Sequence, residues 1–124
     1  MSTNRPIIHA AAETLAQSPW EPLTLSSGWG AVAGHELRVC QVGQLIYING
    51  AVIRRGGGYK SNIATVPKRY VPRMTQFVGG HVTSRGTSFE LYINNRGVLS
   101  CDAYNTVGDG TGMVLPLSCM YLIV

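Results

Sequence analysis

Gly43-Gln-Leu-Ile-Tyr-Ile-Asn-Gly-Ala-Val-Ile53 is the stretch on which the fold turns. Leu45, Tyr47 and Val52 stand among β-branched and aromatic neighbours, the composition of a strand, and Asn49-Gly50 in the middle marks a tight turn or a bulge. A second run, Phe89-Glu-Leu-Tyr-Ile-Asn-Asn-Arg-Gly-Val-Leu99, repeats the pattern. The likeness of the two runs predicts two similarly built hairpins, with the rest of the chain as connections and cover.

Upstream of the first run, Glu36-Leu-Arg-Val-Cys-Gln-Val42 alternates. Leu37, Val39 and Gln41 fall on one face, and Glu36, Arg38, Cys40 and Val42 on the other. Gly43-Gln44 is then a two-residue link that makes an antiparallel pair. Further upstream, Leu23 and Leu25 flank Thr24 in a short half-buried strand, and residues 26–28 turn away from it. Trp20 and Trp29 frame that strand. They are expected to close one end of the core, with a ligand platform as the alternative.

Downstream, residues 54–61 carry Gly56-Gly57-Gly58 and read as a loop. A phosphate cradle would need a helix after the glycines, whereas residues 62–67 read as a strand. Lys68-Arg-Tyr-Val-Pro-Arg73, with Pro67 before it, should run extended along an edge. Residues 75–83 predict a strand broken at Gly79-Gly80, and residues 87–94 the second long strand. A turn at 95–97, a partner strand at 98–104, a glycine-rich loop at 105–112 and one final apolar strand at 113–124 complete the chain. Strands spaced roughly every eight to twelve residues, with Gly and Pro turns between them, mean an all-β fold. The expectation is a single antiparallel β-sandwich, jelly-roll-like, over residues 20–124. Its core markers are Trp20, Trp29, Leu45, Tyr47, Leu91 and Ile93.

Residues 1–19 differ. Pro6 precedes Ile7-Ile8-His9-Ala10-Ala11-Ala12-Glu13-Thr14-Leu15-Ala16, with apolar residues at 8, 11, 12 and 15, which favours a short helix ended by Ser18-Pro19. A helix of about three turns is marginal alone and must pack on something. That something is either its own domain or a partner, in which case Ile7, Ile8, Ala11 and Leu15 form a docking or oligomerisation arm.

Composition narrows function. The 124 residues suit one domain, and 45% apolar with 13% charged content excludes a disordered chain. So little charge suggests that part of the surface is covered by a partner or by further copies. The net charge of +4 comes without a Lys/Arg run, so neither nucleic acid nor membrane insertion is expected. No signal peptide is visible. Cys40, Cys101 and Cys119 are odd in number and lack Cys-x-x-Cys spacing, which argues against a disulfide framework and a zinc site; Cys40 and Cys119, flanked by apolar residues, read as buried, reduced thiols of a protein made in a cytoplasm. His9, His35 and His81 lack metal-ligand spacing, and no two of the six acids make a local catalytic pair. The chain therefore reads as non-catalytic, with no cofactor and no metal. Arg54, Arg55, Tyr59 and Lys60 gather cations and an aromatic on one loop. They could contact a polysaccharide, a phosphate-bearing polymer or a neighbouring subunit; the alternative is a solvated hairpin tip.

Taken in order, Trp20-x-x-Leu-Thr-Leu-Ser-Ser-Gly-Trp29, Glu36-Leu-Arg-Val39, Gly43-x-Leu-Ile-Tyr-Ile-Asn-Gly50, Ile63-Ala-Thr-Val-Pro67, Tyr70-Val-Pro72 and Leu91-Tyr-Ile-Asn94 resemble a known pattern. It is similar to the small β-sandwich modules of tailed-bacteriophage minor tail proteins, tail fibres and baseplate receptor-binding proteins. The resemblance spans residues 20–124. It implies a homotrimeric jelly roll of the virion that contacts other virion proteins, its own copies or a host-surface glycan, and it carries over no catalytic residue. Such modules usually end long tail proteins, whereas this chain begins at Met1 with a short arm. A capsid decoration protein and a stand-alone carbohydrate-binding module are therefore the alternatives to a tail-tip or minor tail module.

Overall fold

The computed structural model describes residues 16–102 and 111–123. The proposed docking residues Ile7, Ile8, Ala11 and Leu15 lie outside them, as does most of the expected loop at 105–112. Twelve short strands occur among the described residues: β1 (Glu21–Pro22), β2 (Thr24–Leu25), β3 (Trp29–Ala31), β4 (Arg38–Val42), β5 (Leu45–Asn49), β6 (Ala51–Arg54), β7 (Ala64–Thr65), β8 (Gln76–Val82), β9 (Ser88–Ile93), β10 (Val98–Asp102), β11 (Val114–Pro116) and β12 (Cys119–Leu122). They form three antiparallel sheets, ordered β1-β4-β5-β12, β2-β7-β10-β9-β8 and β11-β6-β3. The architecture is an all-β sandwich.

The β4–β5 hairpin turns at Gly43-Gln44, with Val42 opposite Leu45. Gly43 supplies the φ of +61° that the first position of a two-residue link requires. The β9–β10 pair also forms a hairpin, with Leu99 opposite Ile93. Asn94 Oδ1 accepts from the Arg96 and Val98 amides and braces its turn. The run around Asn49-Gly50 does not fold back. β5 and β6 belong to different sheets, and Gly50 is the bend by which the chain passes from one to the other. The expected single strand over 113–124 likewise divides into β11 and β12, and Leu117-Ser118 makes the reverse crossing beside Gly50.

That corner is stitched by hydrogen bonds. The Leu117 amide donates to the Gly50 carbonyl at 2.9 Å, the Gly50 amide to Ser118 Oγ at 3.1 Å, and Ser118 Oγ to Asn49 Oδ1 at 2.9 Å. Pro116 cannot donate to a ladder, so the strand stops there, and Leu117 turns its side chain fully into the core.

One apolar core joins all three sheets. Val39, Ile46 and Ile48 meet Ile63, Phe89, Leu91, Ile93 and Leu99, with Trp29, Val52 and Leu115 from the third sheet. Leu91 and Ile93 are fully buried and Trp29 nearly so. Three expected core markers lie elsewhere. Leu45 and Tyr47 are half-buried on the outer face, and Ile46 and Ile48 take the core positions. Strand side chains alternate, so exposed Asn49 puts Tyr47 and Leu45 on its own face. Trp20 is 42% exposed because it precedes β1, the edge strand of its sheet, and turns outward.

Two further expectations change. Residues 68–70 form a 3-10 turn rather than an extended edge, with the Tyr70 amide donating to the Pro67 carbonyl at 2.9 Å. The turn swings the fully buried Tyr70 ring inward, where Tyr121 Oη donates to the Tyr70 carbonyl at 2.7 Å. β8 runs through Gly79-Gly80 unbroken, with a bulge between Phe77 and Gly79. Its Gln76 and His81 side chains reach across to β12: Gln76 Nε2 donates to the Leu122 carbonyl and His81 Nε2 to that of Ser118. These bonds cap a strand edge that would otherwise expose unpaired carbonyls. Among the described residues no helix is long and apolar enough to cross a membrane.

Candidate functional site

The loop carrying Arg54, Arg55, Tyr59 and Lys60 is held against the third sheet. The Arg55 amide donates to the Gly28 carbonyl at 2.7 Å, and Trp29 Nε1 to the Tyr59 carbonyl at 3.0 Å. Gly28 and Gly58 approach so closely that a side chain on either would strike the other's backbone. Arg54 Nε is spent on the Gly58 carbonyl at 2.9 Å, and the Arg55 guanidinium lies along Gly30. The four residues therefore share a loop without converging. Tyr59, 74% exposed, and the exposed Lys60 project into solvent, while Arg54 holds the loop's shape.

A cleft lies at the corner where β5 leaves its sheet. Its volume is about 260 Å³, and Trp20, Gly34, His35, Glu36, Arg38, Asn49 and Gly50 line it. Strand register assembles it: Arg38 stands between Pro22 of β1 and Asn49 of β5. The link between β3 and β4 forms the opposite wall. The Ala51 amide donates to the His35 carbonyl at 2.9 Å, which pins this link against the bend. Gly50 permits the approach, because a Cβ there would lie 2.7 Å from the carbonyl oxygens of both His35 and Glu36.

The chemistry of the cleft is mixed. Trp20 offers an aromatic face, Arg38 donors, Glu36 acceptors, and His35 and Asn49 both. His35, Glu36, Arg38 and Asn49 are all exposed. Neither Glu36 nor Arg38 makes a side-chain hydrogen bond or ion pair among the described residues, so both can turn to a ligand. The volume sits just under the roughly 300 Å³ at which pockets for drug-sized ligands begin.

Sequence reasoning placed Trp20 in the core and left His35, Glu36, Arg38 and Asn49 unassigned as a site. They come from three separated segments, and no motif links them. The available signal was the polar Asn before Gly50, beside an Arg that alternation puts on the outer face.

A second cluster is structural. The Glu21 carboxylate accepts from Tyr70 Oη and from the Arg69 guanidinium. Arg69 also lies over the Tyr70 ring, 4.9 Å from its centre. The Tyr70 hydroxyl, and then Arg69, hold the Glu21 carboxyl below its ordinary value. Of the two cysteines expected to be buried, Cys40 is buried and Cys119 only half-buried, with desolvation pushing its thiol up to about 12; Cys101 is buried as well.

No protein-family model matches the chain, and no curated protein sequence does. Among solved structures, it superposes on the head domain of phage bIL170, whose description asks whether the receptor-binding domains of lactococcal phages share a common fold. The TM-score is 0.60 at 14% identity, over 86% of this chain and 98% of that one.

Proposed function

We propose that the protein is a non-catalytic structural component of a tailed-phage virion, a homotrimeric tail-tip or minor tail module that binds a host-surface saccharide. The likeness to the bIL170 head carries the reading, because it extends over nearly the whole of both chains. The cleft beside Trp20 supplies the chemistry. An indole packs on the apolar face of a sugar ring, while a carboxylate, a guanidinium and an amide take its hydroxyls. Capsid decoration and a stand-alone carbohydrate-binding module remain the competing assignments.

Two measurements test this. On an array of bacterial surface glycans, the purified chain should bind a discrete set of saccharides. Trp20→Ala and Arg38→Ala should each weaken binding at least tenfold, about 1.4 kcal/mol. An array blank for the wild type, or binding indifferent to both changes, would remove the saccharide role from this cleft. Labelled antibody on intact virions should mark tail tips; labelled heads would replace the tail assignment with capsid decoration.

A further inference from the structure

Two residues of the cleft, Trp20 and Asn49, also line a groove of about 640 Å³ on the outer face of the β1-β4-β5-β12 sheet. The groove lies within the roughly 300–1,000 Å³ span of pockets for drug-sized ligands, which the cleft alone does not reach. Because the two share these walls, a ligand long enough to leave the cleft enters the groove.

Strand register lays out the floor. Outward-facing side chains form rows across β4, β5 and β12, about 7 Å apart for residues two positions along a strand. The first row holds Arg38 and Asn49, with Ser118 beside Asn49. Cys40, Tyr47 and Met120 make the second row, and Val42, Leu45 and Leu122 the third. The groove runs over the second row and reaches Val42, but it leaves Leu45 and Leu122 outside.

Each ring along this path keeps a polar atom unspent. Neither Trp20 Nε1 nor Tyr47 Oη makes a hydrogen bond among the described residues. Asn49 Oδ1 accepts from Ser118 Oγ at 2.9 Å, which fixes the carboxamide and leaves its Nδ2 to donate to a ligand. Met120, 55% exposed, and Val78 supply an apolar wall on the far side. Aromatic surface beside unspent hydrogen-bonding atoms complements a chain of sugar rings, each with an apolar C–H face and a rim of hydroxyls. An apolar protein surface laid on the same path would bury those atoms without partners, which is costly.

We propose that cleft and groove form one track for a saccharide of at least two residues. One sugar lies against Trp20, Arg38 and Glu36, and the next lies on Tyr47 against Met120. The proposal rests on the saccharide reading of the cleft and adds a second subsite to it. Trp20 serves both subsites, Arg38 and Glu36 the first, and Tyr47 and Met120 the second.

The test titrates the full-length chain, followed by NMR, with the array glycan that binds most strongly and with its fragments of one to four residues. Wild-type affinity should rise at least tenfold between one residue and three. Tyr47→Ala should erase that rise, whereas Arg38→Ala should lower the affinity for every fragment by a similar factor. Tyr47 is half-buried, so Met120→Glu, at an exposed position, gives an independent variant that should erase the rise as well. Leu122→Ser, in the row outside the groove, should leave it intact. An affinity flat with length, or a rise that survives both Tyr47→Ala and Met120→Glu, would overturn the second subsite while the cleft reading stands. A blank array would overturn both. If Leu122→Ser erases the rise as fully as Tyr47→Ala, and both lower the mass seen by light scattering, the face is a contact between copies and the track is overturned.

Discussion

Glu21 joins the first strand to the 3-10 turn at Lys68–Tyr70, and a single proton controls that junction. Its carboxylate receives both Tyr70 Oη and Arg69, so the folded chain favours the ionised form and its pKa falls below the ordinary 4.5. Linkage gives the sign. A depressed carboxylate contributes stability that is complete above its unfolded value and lost as the pH falls through the folded one. Urea midpoints taken from about pH 6 down to about pH 3 should therefore drop more steeply below 4.5 in the wild type than in Glu21→Gln. Parallel curves would show that this carboxylate is not a source of acid sensitivity. The partners lie 48 and 49 residues away from Glu21, which is why the junction was invisible in the sequence. The same holds for the side chains of β5. Four consecutive apolar residues, Leu45 to Ile48, leave the phase of alternation open, and only the pairing with Val39 and Tyr121 decides that Ile46 and Ile48 face inward.

At the scale of elements, the corner at Gly50 determines both the fold and the cleft. Gly50 combines a φ of +131° with carbonyl oxygens 2.7 Å from where a Cβ would sit. Gly50→Ala should cost about 2–4 kcal/mol, backbone strain plus displacement of the β3–β4 link. Gly86→Ala is the control. It also has positive φ, +81°, but open space around it, so it should cost only about 1 kcal/mol. Equal losses in urea unfolding would mean that close approach at the corner contributes nothing. What was legible here was local. Gly43-Gln44 between two alternating runs identified its hairpin, and the turn ending in Gly97 identified the other. An Asn-Gly pair looks the same whether the chain folds back or passes into a second sheet. Its choice depends on Ser118, 68 residues further on. Pro67 and Pro72 similarly suggested an extended edge, because nothing nearby announces that Tyr70 must be turned into the core.

Over the whole molecule, the low charge anticipated from composition finds its counterpart in exposed apolar side chains on two outer faces. Beside Met120 and Leu122, the candidates for self-association include Phe77 and Val82 on edge strand β8. They are 58% and 53% exposed and share the outer face of the five-stranded sheet. Phe77 already packs on Tyr92, ring centres 5.4 Å apart, in a preformed apolar platform. Light scattering on the full-length chain should therefore give three times 13.4 kDa, and Phe77→Glu should move the mass toward one. A charge buried without a partner costs several kcal/mol at each copy of an interface, enough to dissociate a small trimer. A trimer that survives Phe77→Glu would place its contacts on another face. A wild-type monomer would overturn the homotrimer and bring the stand-alone carbohydrate-binding module forward. In that case, the cleft beside Trp20 would have to bind its ligand from one subunit alone.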